Sequence, residues 1–150
     1  MLNADVSEWS RGDYRVTTAP DAVDLELVVS FLANDSYWAQ GRTVDEQRGA
    51  NAVSTCFSLI HGPTGAQVGF ARAISDDLRF TWVMDVFVLP EHRGHGLGGW
   101  ITECVVDRFG HTTIGLGTAD AHGVYAKHGF VPADPERWMH RHRHGGAPDC

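Results

Sequence analysis

The sequence predicts an α/β (α+β) fold: one domain over residues 1–150, with a mixed central sheet of about six to seven strands and helices on both faces. Three observations carry this prediction. Short strand patterns alternate with amphipathic helix patterns, turn residues separate three consecutive central strands, and one strand runs directly into a Gly-rich turn and a helix. No repeat or interdomain linker divides the 150 residues, a length that can bury a core without disulfides.

The first part of the chain supplies a strand and two helices. Alternating residues over 14–17 predict a short strand, and an apolar stripe over 21–32 predicts a helix. An aromatic loop follows over 36–42. Thr43 is a good N-cap residue, so a second helix is predicted over 44–50.

The central part predicts a meander followed by a crossover. Strand patterns over 54–61, 67–74 and 80–88 are separated by turn residues, which favours antiparallel pairing. The helix that begins near Leu97 shows one apolar face. A further strand over 112–116 is then expected to lie parallel to the third strand of the meander, because a helix connects the two.

The last part predicts a short helix around Tyr125, a final pair of short strands over 130–131 and 137–140, and a polar tail over about 140–150. Alternating histidines in that tail are compatible with metal binding. Arginines stand between them, and neither cysteine nor carboxylate partners accompany them. We therefore predict no metal site at His140, His142 and His144.

The composition limits the partners and the compartment. The formal net charge is −7 at pH 7, which argues against general nucleic-acid binding and suits a cationic amine. No apolar stretch approaches the ~20 residues of a membrane helix, and residues 1–9 lack a signal-peptide pattern. Cys56 and Cys104 fall in predicted buried elements and Cys150 is terminal, so a reducing cytoplasm is expected, with neither a membrane nor a nucleic acid as partner.

The run 86–100 is the most informative part of the chain. A hydrophobic strand stops at Pro90, and a Gly-rich turn led by Arg93 opens into a helix. Backbone N–H groups at a helix N-terminus favour anions, and glycines let the backbone approach them closely. The turn therefore predicts a phosphate or pyrophosphate ligand. Without a nearby lysine it is no P-loop, whereas its match to the bare dinucleotide pattern keeps a nicotinamide-dependent oxidoreductase as an alternative, disfavoured by the preceding meander.

Two motifs in this chain match one family in order. The spacing Arg93-x-x-Gly96-x-Gly98 after a hydrophobic strand resembles the acyl-CoA loop of the GNAT superfamily of N-acyltransferases. Downstream, Tyr125 is followed four and five residues later by Gly and Phe, which looks like the late helix of that superfamily. The resemblance covers nearly the whole chain.

The resemblance implies acetyl-CoA as the acyl-donor cosubstrate, with no metal. The thioester would lie in a splay between strands 80–88 and 112–116, with the pantetheine along the first strand and the pyrophosphate on the loop. Thr118 stands where many relatives carry an Asn that bonds the pantetheine. The implied cofactor-binding residues are Val86, Phe87, Val88, Arg93, Gly94, His95, Gly96, Leu97, Gly98 and Thr118.

The resemblance also implies a catalytic acid. Tyr125 matches the position at which many members carry the group that protonates the CoA thiolate, and a phenol with a pKa near ~10 is a proton donor at neutral pH. The alternative is that this ring only packs. Asp120 opens the same helix and is predicted to be its N-cap.

Asp85 is the candidate for a base or an amine-binding carboxylate. It lies in the strand before the loop, on a face that simple alternation would share with Val83 and Phe87. Several relatives carry their acid at the preceding position, which holds none here. Asp85 as a buried structural partner near Asp120 or His122 is therefore an equal alternative, and deprotonation of the amine through water is another.

The aromatic loop supplies the candidate acceptor pocket: Tyr37, Trp38 and Arg42. Aromatic faces suit cationic amines, whereas Arg42 would oppose a purely cationic substrate and suits a carboxylate. Aromatic residues that cap the core are the alternative.

The residues and the resemblance together predict a cytoplasmic N-acetyltransferase. It would move an acetyl group from acetyl-CoA to a primary amine by direct attack in a ternary complex. A small-molecule amine is favoured over a protein lysine or a peptide N-terminus, and a homodimer is possible. The alternative is a non-catalytic acyl-CoA-binding sensor or regulatory module, which would keep the loop and not need Tyr125.

Overall fold

A six-stranded mixed sheet organises the chain in this computed structural model, which describes residues 5–143. The strands follow one another across the sheet in chain order, and only the last pair is parallel. They are β1 (Glu8–Arg11), β2 (Tyr14–Thr17), β3 (Thr55–His61), β4 (Ala66–Ser75), β5 (Phe80–Val88) and β6 (Thr113–Leu116). The helices are α1 (Leu25–Asp35), α2 (Val44–Ala52), α3 (Leu97–Phe109) and α4 (His122–Ala126), with 3-10 turns at Pro20–Ala22 and Pro90–His92.

The predicted fold class is confirmed. The central meander is antiparallel, and the crossover through α3 brings β6 parallel to β5. The sequence analysis missed β1, which pairs with β2 through a hairpin turn at Gly12, where φ is +56°. A single large apolar residue, Trp9, holds β1 to the core by stacking on Phe57 with ring centroids 5.9 Å apart.

The two helices before the meander begin at capping residues. α1 begins later than predicted because Asp24 caps it, accepting a hydrogen bond from Leu27 N at 3.1 Å. Thr43 caps α2 as predicted, in a reciprocal capping box with Glu46. α2 buries one side chain only, that of Gln47.

The core lies on both faces of the sheet. One cluster packs against α3 through its predicted apolar face, formed by Leu97, Ile101, Cys104 and Val105. The other packs against α1. Cys56 and Cys104 are buried free thiols, and burial raises the pKa of each to about 12, so neither is reactive at neutral pH.

A β-bulge interrupts β5 against β4. Asp85 and Val86 together lie opposite the single residue Ala71, and Asp85 adopts a left-handed conformation with φ of +58°. The bulge shifts the alternation, so that Val83 joins the α3 cluster and Phe87 joins the α1 cluster. The prediction that Asp85 shares one face with both of these residues is therefore wrong.

The predicted final pair of strands is also wrong. Residues 130–143 contain no strand, and Val131 and Met139 are 82% and 94% exposed. Pro132 and Pro135 remove two backbone donors from this segment. Trp138 packs near Phe80 and Trp82, with ring centroids 6.2 and 6.4 Å apart.

Two further expectations concern the ends and the helices of the chain. His144 and Cys150, with the rest of the predicted tail beyond residue 143, lie outside the described residues. Over residues 5–143, every helix is too short or too polar to cross a bilayer.

Candidate active site

A cavity of about 350 Å³ opens where β5 and β6 part. Their parallel register runs from Phe80 and Thr113 to Val83 and Leu116, and the bulge in β5 follows directly. Eight of the residues predicted for the site line this cavity: Tyr37, Trp38, Asp85, Val86, Phe87, Arg93, Thr118 and Tyr125. Two exposed carboxylates, Asp35 and Asp120, also line it.

A second cavity, of about 380 Å³, lies between the first 3-10 turn, α2 and β3. Its lining includes Val23, Arg48 and Cys56 and none of the predicted site residues. The Cys56 thiol there has a raised pKa. Within residues 5–143, no three His, Cys, Asp or Glu side chains are grouped to hold a metal ion.

The Gly-rich loop presents the start of α3 without obstruction. Gly94 and Gly96 have φ of +86° and +71°, and Gly96 is the N-cap of α3 with no side-chain cap. The first N–H groups of a helix have no partner within the helix, so they point outward from this end. A Cβ placed on Gly98 would meet no atom within 4 Å. The loop therefore fits a pyrophosphate.

Arg93 is held at the end of β5 beside this loop. Its Nε donates a hydrogen bond to the carbonyl oxygen of Val88 at 2.9 Å. This bond fixes the base of the guanidinium next to the loop, and it engages one lone pair of the carbonyl of Val88, one of the residues predicted to bind the cofactor.

Tyr125 faces the cavity from α4. Burial is the main cause that raises the pKa of its hydroxyl, and Tyr37 and Asp120 raise it further. The phenol is therefore protonated at neutral pH and can donate a proton. Its ring packs edge-on against Phe130, with centroids 5.7 Å apart.

The start of α4 differs from the prediction. Its N-cap is Ala121, so the assignment of Asp120 as N-cap is wrong. Thr118 forms the turn instead, because its Oγ1 accepts a hydrogen bond from Ala121 N at 3.0 Å. Asp120 is thereby left exposed at the cavity.

Asp85 lies in a buried ionic cluster and is 3% exposed. Its carboxylate accepts hydrogen bonds from Arg72 Nε at 2.8 Å, from Arg42 Nη1 and Nη2 at 3.2 and 3.4 Å, and from Gln47 Nε2 at 3.4 Å. Burial acts to raise the pKa of Asp85, but the two guanidiniums outweigh it and lower this pKa. The partners of Asp85 are thus arginines and an amide, not Asp120 or His122.

The predicted acceptor residues fall into two groups. Tyr37 and Trp38 line the cavity, with rings edge-to-face at 5.0 Å, and the Tyr37 hydroxyl accepts a hydrogen bond from Ala119 N at 3.1 Å. Arg42 turns to Asp85 and Gln47 instead of the cavity. Within the described residues, the Trp38 indole N–H is buried without an acceptor.

Sequence reasoning missed Arg72 and Gln47. Arg72 carried a signal, because it is a charged residue inside the apolar run of β4. Gln47 carried none, because it is one of several polar residues of α2 and its burial appears only in the structure. A buried arginine requires an anionic partner, and Asp85 is that partner.

Comparison with known proteins identifies the family. Residues 53–132, more than half of the chain, match the family model described as an acetyltransferase (GNAT) domain. The chain belongs to the GNAT acetyltransferase family. The resemblance drawn from the two motifs is thus confirmed, and it assigns the chain to a family of acyl-transferring enzymes.

Individual relatives of this GNAT chain agree. A GNAT-family protein of Xanthomonas campestris is 37% identical, with a TM-score of 0.80 over 88% of this chain and 94% of that one. A Gibberella zeae protein, FG08082, whose name places it among acetyltransferases, is 34% identical over 112 residues. That match covers 63% of this chain and 63% of the Gibberella protein, so the chain spans less than two thirds of that relative.

A more distant relative shares the fold. A Clostridium acetobutylicum acetyltransferase whose crystal structure was determined with acetyl-CoA has a TM-score of 0.62 at 14% identity, over 93% of this chain and 99% of that one.

Proposed function

We propose that this GNAT protein transfers an acetyl group from acetyl-CoA to a primary amine by direct attack in a ternary complex. One observation carries the proposal: Arg93, at the head of the Gly-rich loop that opens α3, and the protonated Tyr125 line the same cavity between β5 and β6. The distant relative determined with acetyl-CoA supports the choice of donor. The acceptor is proposed to be a small molecule.

The chain's own residues would bind the donor in two places. Backbone N–H groups from Gly94 to Gly98 would take the pyrophosphate, with Arg93 adding positive charge beside them. The edge of β5 at Val86 to Val88, left without a strand partner by the splay, would take the pantetheine. Thr118, at the end of β6, faces the same cavity.

The transfer requires a group that donates a proton to the departing sulfur and a route by which the amine loses its proton. When bound, acetyl-CoA supplies the thioester whose C–S bond breaks as the amide C–N bond forms. Tyr125 would donate its hydroxyl proton to the departing sulfur. The proton that the amine loses would pass to water, and the Tyr125 phenolate would regain a proton from water, which closes the cycle. Backbone N–H groups can polarise the carbonyl, so the proposal needs no metal.

Titration calorimetry with acetyl-CoA tests the proposal, with Gly98→Glu as the disabling variant. Gly98 has room for a side chain and no left-handed φ, unlike Gly96, so the variant is expected to fold. A glutamate in the first turn of a helix interacts favourably with the helix dipole, but its negative charge repels a pyrophosphate. We expect saturable binding by the native protein and none by this variant.

Gly49→Glu is the matched control, because Gly49 is an exposed glycine in α2 with equally open surroundings. It should bind acetyl-CoA as the native protein does. Equal binding by all three proteins, or by none, would contradict the proposed site. Binding without release of CoA in the presence of any amine would instead indicate the non-catalytic acyl-CoA-binding module.

We base the proposed cellular compartment of the protein on two of its cysteines. Cys56 and Cys104 are buried free thiols, as expected of a protein in the reducing cytoplasm. The possible homodimer stays a prediction, which light scattering of the purified protein would test.

A further inference from the structure

The carboxylate of Asp85 joins three elements that are distant in sequence. Arg72 reaches it from β4, Arg42 from the loop over residues 36–42, and Gln47 from α2. Asp85 itself stands in the bulge of β5, at the wall of the cavity. One buried group thus holds a strand, a loop and a helix together. We call residues 36–42 the acceptor loop.

The bonds to Asp85 matter because α2 lacks an apolar face. Its sequence is Val-Asp-Glu-Gln-Arg-Gly-Ala-Asn-Ala, and Gln47 is its one buried residue. Arg72 also holds the region just after α2, since its Nη1 donates to Ser54 Oγ at 3.1 Å. Polar bonds to Asp85 and Arg72 therefore replace the hydrophobic contacts that usually fix a helix on a sheet.

The acceptor loop continues this cluster to the cavity. It begins at the end of α1 and ends at Arg42, whose guanidinium is bonded to Asp85. Between these points Tyr37 and Trp38 line the cavity, and Tyr37 spans it to Ala119 N. Releasing Arg42 would free the C-terminal end of this loop.

Both oxygens of Asp85 are already engaged. Oδ2 accepts from Arg72, Arg42 and Gln47, and Oδ1 accepts from Arg42. A general base needs a lone pair that reaches the amine. We propose that Asp85 is a positioning residue: through Arg42 it fixes the acceptor loop over the cavity and so determines how well the amine binds. This inference rests on the proposed acyl transfer.

The two roles predict opposite results for Arg42. If Asp85 positions the loop, Arg42→Gln and Asp85→Asn both raise KM, because each breaks the ion pair between the two residues. Arg42→Gln also loses the bond to Gln47 Oε1, and Asp85→Asn also removes the charge that faces Arg72. If Asp85 is the base, Asp85→Asn removes the base, whereas Arg42→Gln leaves it in place and relieves one positive charge beside it. Asn is the suitable replacement because it tolerates the left-handed backbone at position 85.

The experiment measures kcat and KM for acetylation of a panel of primary amines: 1,5-diaminopentane, 2-phenylethylamine, glycine and lysine. Asp85→Asn, Arg42→Gln, Arg42→Lys and the double variant Asp85→Asn/Arg42→Gln are compared. Arg48→Gln is the control, because Arg48 is an exposed arginine of α2 whose ion pair among residues 5–143 is with Asp45. The affinity for acetyl-CoA is measured in parallel by calorimetry.

We expect Arg42→Gln and Asp85→Asn each to lower kcat/KM by about 10²-fold, the cost of a misplaced contact. The loss should appear mainly as a higher KM. The loss in the double variant should be smaller than the product of the two single losses, because the ion pair that the residues share is lost only once. Arg42→Lys should recover part of the loss. The control, and acetyl-CoA binding by every variant, should match the native protein.

A fall in kcat for Asp85→Asn of about 10²-fold or more, with KM unchanged and Arg42→Gln fully active, would overturn the proposal in favour of a base. If Asp85→Asn does not fold, the Gln and Lys variants at Arg42 decide alone. If no amine in the panel is acetylated, the proposed function fails. Amide hydrogen exchange in the acceptor loop then decides the positioning role: it should rise in Arg42→Gln and not in Arg48→Gln, and equal exchange would overturn it.

Discussion

Tyr125 is the residue whose chemistry the structure constrains most directly. Burial, with Tyr37 and Asp120 nearby, raises the pKa of its phenol, so it keeps its proton through neutral and moderately alkaline pH. We expect Tyr125→Phe to lower kcat by about 10²-fold while the Kd for acetyl-CoA is unchanged.

In the native protein, kcat/KM should rise with pH as the amine deprotonates and show no fall up to about pH 10. Stopped-assay rates of free CoA release between pH 6 and 10 check both statements.

An unchanged kcat in Tyr125→Phe would mean that the ring only packs, against Phe130 and the cavity. Only the hydroxyl group is removed, so the variant keeps the edge-on contact with Phe130 at 5.7 Å between ring centroids. A loss of acetyl-CoA binding would likewise contradict the assignment, because it would place the hydroxyl in binding instead of proton transfer.

The site could be predicted from the sequence where its chemistry is local. The Gly-rich loop and Tyr125 are recognised by short spacings, and Arg93 of that loop lines the same cavity as Tyr125. The surroundings of Asp85 could not be predicted in this way. Its partners Arg72, Arg42 and Gln47 come from three other elements, and a bulge shifts the alternation that the sequence suggested.

At the scale of elements, α2 depends on its caps and its polar bonds, since it buries one side chain. Thr43 Oγ1 accepts from Glu46 N at 3.2 Å, and Glu46 Oε2 accepts from Thr43 N at 3.1 Å. We expect Thr43→Ala to lower the free energy of unfolding by about 1 kcal/mol, measured by urea denaturation. Glu46→Ala and the double variant form the control cycle. Unchanged stability in both single variants would contradict a reciprocal capping box.

The elements that the sequence predicted well are those with strong local signals. The three strands of the meander are bounded by turn residues, and α2 begins at Val44, directly after its N-cap Thr43, in the structure as in the prediction. Segments without such signals were misread. β1 has one large apolar residue, Trp9, and is formed by its pairing with β2. The segment 130–143 has apolar residues but no inward face, because two prolines and a turn at Asp134 keep it out of the sheet.

At the scale of the whole molecule, carboxylates with a lowered pKa make the free energy of unfolding depend on pH. Hydrogen bonds from the backbone N–H groups of Arg79, Leu78 and Phe80 lower the pKa of Asp76 to about 2, and the arginine bonds lower the pKa of Asp85. A folded-state pKa below the unfolded one contributes stability above the unfolded value of about 4. That contribution is lost as the pH falls through the folded pKa. The protein should therefore unfold more easily in acid.

The difference in the free energy of unfolding between the native protein and Arg42→Gln isolates the contribution of Asp85 to this pH dependence. Arg42→Gln removes one of the two guanidiniums that lower the pKa of Asp85 and leaves Asp76 unaltered. At pH 7 we expect this variant to be about 2 kcal/mol less stable than the native protein, the value of a charged hydrogen-bond pair. The pKa of Asp85 is lower in the native protein than in the variant, so the carboxyl of the variant gains its proton first as the pH falls, and the difference should shrink. Urea denaturation of both proteins at pH 7, 5 and 3.5 measures it. A difference that stays constant across this range would mean that Arg42 stabilises the fold through the packing of its side chain and not through the charge of Asp85.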